Sequence, residues 1–219
     1  VYPQNEDLHR ISIEKSIKFL LESSNALIIC VGGDHSITFP EINAYSKFGL
    51  VGVIWIDAHR DVLDELNNSK YSHGSSLRRA IENKSVLPDN VLLIGTRYME
   101  ASETEFIQKY GISELSMVEI EESHRKRILI KDKILKLANS VDLIFLSIDI
   151  DVVDPAYAPG TGTPVAGGMT SNLLLNIIHD FPSPIRGLDI VEVSPPLDPS
   201  GITTKLQMAM ITELCAKVI

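Results

Sequence analysis

The stretch Leu50-Val51-Gly52-Val53-Ile54-Trp55-Ile56, running straight into Asp57-Ala58-His59-Arg60-Asp61, decides how this chain is read. Its apolar part has strand length and is continuous rather than alternating, the pattern of a strand covered on both faces. Five further runs read as strands: Ala26–Val31, Val91–Ile94, Ser116–Ile120, Leu143–Ile148 and Gly187–Val193. Between them, segments of helical period fall at about 11–23, 36–47, 74–83, 102–110, 121–139, 170–180 and 203–218. Ser12 followed by Lys15 makes a poor capping box, whereas Thr170 and Thr203 suit N-caps. Strands alternating with helices imply parallel pairing through right-handed crossovers. The expected fold is therefore α/β: a three-layer α/β/α sandwich around a mostly parallel sheet.

Composition narrows the function. The chain has 219 residues, 44% hydrophobic and 22% charged, and a formal charge of −9. That apolar content excludes a disordered chain. The acidic balance argues against nucleic acid or an anionic membrane as partner and suits a cationic small molecule or a metal. The longest apolar runs are far short of a membrane span, and residues 1–10 are polar, unlike a secretory signal. Two cysteines, Cys30 and Cys215, are too few for a disulfide framework. The expected location is cytoplasmic.

In open parallel sheets ligands bind beyond the carboxyl ends of the strands, and four of these ends carry clustered polar residues. They are Gly32-Gly33-Asp34-His35-Ser36, Asp57 to Asp61, Asp149-Ile150-Asp151 with Asp154, and Asp189 with Glu192. Asp57, His59 and Asp61 share one face in extended backbone, as do Asp149 and Asp151. Four carboxylates and two imidazoles converging on one sheet edge would not all stay ionised without cations between them. Oxygen and imidazole donors without thiolate favour Mn²⁺, with Zn²⁺ and Co²⁺ also open. Six ligands suit two ions, which could hold a hydroxide for metal-assisted hydrolysis. The span Pro155–Gly168 directly follows a strand and reads as an active-site loop.

These motifs closely resemble those of the ureohydrolase family of arginases and agmatinases. The resemblance rests on GGDHS (32–36), DAHRD (57–61), SIDIDVVDPAYAPGTGTPVAGG (147–168) and GLDIVEVSPPLD (187–198), all in the family's order. It implies an arginase-like fold and two Mn²⁺ per subunit. Carried over position by position, one ion would be held by His35, Asp57, Asp61 and Asp149, and the other by His59, Asp57, Asp149 and Asp151. Asp61 would also orient the bridging hydroxide. His73 matches the family's loop histidine and would shuttle a proton. Glu192 matches the glutamate that receives the guanidinium, with Thr163 helping to hold the same region. Asp34, Asp154 and Asp189 are expected to fix loops and ligands rather than bind metal.

Within the family the resemblance leans toward agmatinase. Gly160 opens the Gly-Thr-Gly-Thr loop, Leu63 stands where arginases carry an asparagine, and Asp64-Glu65 and Ser69–His73 resemble the loop of prokaryotic agmatinases. The implied reaction converts agmatine and water to putrescine and urea. Arginase or a guanidinobutyrase-type hydrolase is the alternative within the family, and a catalytically silent metal-binding scaffold the alternative outside it. Arg60 replaces a small hydroxyl residue and, by parity, points away from the ligands toward an acid. The family implies about eight strands against the six read here, and a trimer or hexamer. The expectation is one catalytic domain over 1–219 that lacks the family's N-terminal segment.

Overall fold

The computed structural model describes residues 5–182 and 185–216. In chain order these form α1 (Glu6–Ser23), β1 (Ile28–Val31), α2 (Thr38–Tyr45), β2 (Val51–Ile56), α3 (Ser76–Glu82), β3 (Val91–Ile94) and α4 (Ala101–Tyr110). There follow β4 (Ser113–Leu115), α5 (Met117–Glu122), α6 (Lys126–Ala138), β5 (Leu143–Asp149), α7 (Ser171–Asp180), β6 (Ile185–Val191) and α8 (Ile202–Ala216). The strands make one six-stranded sheet in the order β1-β6-β5-β2-β3-β4, every pair parallel.

The continuous apolar runs have a direct consequence. Every residue of β2 and β5 is buried, because alternate side chains serve two separate cores. Val51, Val53 and Trp55 pack with α1 to α4, while Ile54 and Ile56 pack with α5 to α8. This is the expected three-layer sandwich. Among the described residues, no helix is long and apolar enough to cross a membrane.

Three local expectations are corrected. Ser116–Ile120 is not a strand: Ser116 caps α5, its Oγ accepting from Glu119 N while Glu119 Oε2 accepts from Ser116 N at 2.8 Å. That reciprocal capping box outweighs the β-prone Val118 and Ile120, and the strand instead lies just before, at Ser113–Leu115. The single helix expected over 121–139 is accordingly two, α5 and α6. Thr203 is not an N-cap but lies inside α8, where its Oγ1 accepts from Gly160 N at 2.8 Å; Asp198 Oδ2 instead accepts from Thr203 N. Thr170 does cap α7, accepting from Leu173 N at 3.1 Å. The first helix starts earlier than expected because Asn5 caps it. Residues 1–4 of the presumed polar start, and 217–218 of the last helix, lie outside the described residues.

Candidate metal centre

Every sequence-predicted ligand sits at the carboxyl edge of the sheet, and the structure brings all six together. His35 follows Gly32-Gly33 in a short 3-10 turn capped by Asp34, which accepts from Ser36 N at 3.1 Å. Its ring is 1% exposed and stacks on Trp55 at 4.0 Å between centroids. His35 Nε2 lies 2.8 Å from Ser147 Oγ, which donates to Asp189 Oδ1 at 2.6 Å. A hydroxyl has one proton, so with that proton on Asp189 the imidazole must be the donor to Ser147. This leaves Nδ1 as the lone-pair nitrogen. Nδ1 makes no hydrogen bond and faces Asp57 Oδ2 at 3.3 Å, Asp61 Oδ2 at 3.0 Å and Asp149 Oδ2 at 3.2 Å.

A second group abuts the first. His59 Nδ1 lies 2.9 Å from Asp151 Oδ2 and 3.5 Å from Asp57 Oδ1. Donor atoms of His35, Asp57 and Asp149, and separately of Asp57, His59 and Asp151, all fall within 4.8 Å of one another. Asp57 is common to both groups. The strand-to-loop turns that place these carboxylates are locally tied: Asp57 accepts from Trp55 Nε1 at 2.8 Å and His59 N at 2.6 Å, and Asp149 accepts from Asp151 N at 2.8 Å. Asp61 and Glu192 both hold positive φ, at 53° and 63°, conformations that cost energy in non-glycine residues and concentrate at functional sites.

The electrostatics show what this cluster wants. Burial and the neighbouring Asp57 charge push Asp61 up to about 7. Burial together with Asp151 and Asp57 carries Asp149 well above the ordinary carboxylate range, and Asp151 is raised by burial and Asp57. Burial would lower both histidines, but the acceptor carboxylates facing their rings outweigh it, carrying His35 well above its ordinary value and His59 up to about 11. Burial would raise Asp57, yet the two imidazoles hold it below the usual range. The cluster therefore stabilises positive charge placed among its carboxylates. Four buried carboxylate groups and two imidazoles, one with its nitrogen unpartnered, fit a pair of divalent cations.

A cavity of about 480 Å³ opens over the centre, and His59, Asp61, His73, Thr163 and Glu192 line it. His73 sits in a 3-10 turn over His73–Ser75 before α3. Glu192 accepts from His35 N at 2.8 Å and is raised by burial. Thr163 donates to Asp151 Oδ2 at 3.3 Å. Asp154 accepts from the amides of Ala156, Gly167 and Gly168, and Asp189 accepts from Thr38 and Ser147, the supporting parts expected of them. Arg60 turns away and makes a two-pronged pair with Glu114, both bonds 2.7 Å.

Sequence reasoning missed three residues. Trp55 both stacks on His35 and donates to Asp57; its position two before Asp57 on the same face was the available signal. Ser147 carries the same signal relative to Asp149. Arg97 fixes the 155–168 loop by donating to Asp151 O and Val165 O, each at 2.6 Å, and to Val152 O at 3.2 Å. Nothing local in the sequence marks it.

A parallel sheet covered by helices on both faces, with paired Asp/His donor groups at its carboxyl edge, defines an α/β protein with a candidate binuclear metal centre. Residues 2–216 match the arginase family, and the chain belongs to it. It is 38% identical over 193 residues to an agmatinase of Blochmanniella floridana, covering 87% of this chain and 60% of that protein. It is also 38% identical over 194 residues to a guanidinobutyrase of Pseudomonas aeruginosa, covering 86% and 59%. An arginase structure from Bacillus caldovelox superposes with a TM-score of 0.87 at 28% identity, covering 95% of this chain and 74% of that one. The chain thus spans about 60% of the length of those two curated relatives.

Proposed function

We propose that this protein hydrolyses the guanidino group of a small cationic substrate, agmatine, to release urea and putrescine. The observation that carries the reading is the unpartnered Nδ1 of His35 set among Asp57, Asp61 and Asp149. His35, Asp57, Asp61 and Asp149 would hold one divalent cation, and His59, Asp57, Asp149 and Asp151 a second; manganese suits this donor set. When bound, such a pair would supply an activated water as nucleophile at neutral pH. Glu192 receives the substrate guanidinium, for which a planar carboxylate is the natural partner, and orients its carbon over the cluster. Asp61 accepts a hydrogen bond from the attacking water and aims it. His73, on the cavity wall, gives a proton to the leaving amine nitrogen. Thr163 steadies Asp151. Leu63 on the same wall offers nothing to a substrate carboxylate, which favours agmatine over arginine. Assembly into a trimer or hexamer belongs to the same proposal.

The test is urea release with Mn²⁺ from agmatine, arginine, 4-guanidinobutyrate and 3-guanidinopropionate in parallel. Agmatine should lead and chelation should abolish turnover. A preference for arginine overturns the substrate, and full activity after chelation overturns the chemistry. Two bound Mn²⁺ with no hydrolysis of any compound would make the chain a silent scaffold.

A further inference from the structure

His73 has open space on two sides. It lines the cavity over the candidate metal centre and also a second cavity of about 380 Å³, whose wall includes Glu6 and His9 of α1, Asp34 and Tyr71. The loop that carries it has no core of its own, since none of residues 63–73 is buried. Leu66 and Ser69 close its tip with two backbone hydrogen bonds of 3.0 Å, and Asn67 and Asn68 between them hold positive φ of 53° and 61°. Such a tip fixes its own turn but not its place on the molecule. Contacts from α1 supply that place. Ser69 Oγ donates to Glu6 Oε2 at 2.8 Å, and one helical turn later the Arg10 guanidinium lies 3.9 Å from the centre of the Tyr71 ring. Tyr71 in turn stacks on Phe39 of α2, 5.9 Å between centroids, and Phe39 is buried. Arg10 pairs with Asp7 through Nη2, while its buried Nε makes no hydrogen bond. What the guanidinium offers the loop is therefore its flat face on an aromatic ring, a contact that fixes orientation as well as distance. The buried residues of α1, Ile17 and Leu21, both lie in its second half, so the core anchors that half and the first turns meet the loop.

We infer that Arg10 is a positioning residue: stacked on Tyr71, two residues before His73, it holds His73 toward the metal centre and away from the second cavity. This rests on the guanidino hydrolysis proposed above and deepens it. With Mn²⁺-loaded protein and agmatine, Arg10→Ala should lower kcat about threefold to tenfold while KM and bound Mn²⁺ stay unchanged. The loss should vanish in a His73→Ala background and in a Tyr71→Leu background, because each removes one end of the same connection. A fall under about threefold, a loss repeated in full in either background, or a matching fall in bound Mn²⁺ overturns the inference and leaves the hydrolase reading intact. Should the wild-type protein hydrolyse no guanidino compound, that reading falls instead and amide hydrogen exchange decides. Exchange at residues 66–74 about fivefold faster in Arg10→Ala sustains the hold of α1 on the loop, and unchanged exchange removes it.

Discussion

Ser147 shows how one hydroxyl sets the chemistry of its neighbour. Buried between His35 Nε2 and Asp189 Oδ1, it gives its proton to the carboxylate and so requires the imidazole proton to sit on Nε2. Without it, His35 is free to place its proton on Nδ1, the atom that faces the three carboxylates. Groups that orient a metal-binding histidine in this way are worth about 10–100-fold in metal affinity. Ser147→Ala should therefore weaken Mn²⁺ binding, measured by titration calorimetry, by a factor in that range while leaving the circular dichroism spectrum unchanged. An affinity within twofold of wild type would show that the tautomer is fixed by something else. The candidate ligands themselves were legible as residue parity at strand ends. The Ser147–Asp189 partnership was not, because it depends on β5 lying beside β6 in a register that sets Ser147 opposite Asp189, and strand order is not written in local pattern.

Elements were legible where burial writes a strong pattern and illegible where a few polar residues decide. The fully buried strands β2, β3 and β5 announce themselves as apolar runs. The three-residue edge strand β4 carries Glu114 and does not, and the capping box at Ser116 was read as part of a strand. The loop over 155–168 is a case in which structure comes from elsewhere in the chain. Arg97, just beyond β3, collects carbonyls of Asp151, Val152 and Val165 on one guanidinium, and Asp154 collects the amides of Gly167 and Gly168 from the other side. A lysine carries the charge but not the planar fork. Arg97→Lys should leave part-buried carbonyls unpaired and lower stability by about 2 kcal/mol. Amide hydrogen exchange at residues 165–169 should rise, and the KM for the substrate with it, because Thr163 rides on this loop. Unchanged exchange there would mean that the loop is held by its own turns.

At the scale of the whole molecule, the candidate metal centre is a cost of folding that bound cations would offset. The fold buries Asp57, Asp61, Asp149 and Asp151 together, in a chain whose net charge is −9, and burial, reinforced by repulsion from neighbouring carboxylates, is what raises Asp61, Asp149 and Asp151. Divalent cations that bind the folded cluster and not the unfolded chain stabilise by mass action, about 2.7 kcal/mol per site at a hundred times the Kd. A chain of this size gains about 2–4 °C in Tm per kcal/mol, so filling two sites should raise the Tm on the order of 10–20 °C. Because carboxylates and imidazoles bind metal only when deprotonated, the rise should shrink as pH falls from about 8 to about 5. Mn²⁺ should act at lower concentration than Mg²⁺, since imidazole nitrogen suits it better. Asp149→Ala separates this from general screening by divalent charge. That residue lies against His35 through one oxygen and accepts from Asp151 N through the other, so its loss should remove most of the Mn²⁺-dependent rise. A variant whose Tm climbs with Mn²⁺ as steeply as the wild type would place the stabilising ions elsewhere on the surface and remove Asp149 from the ligand set.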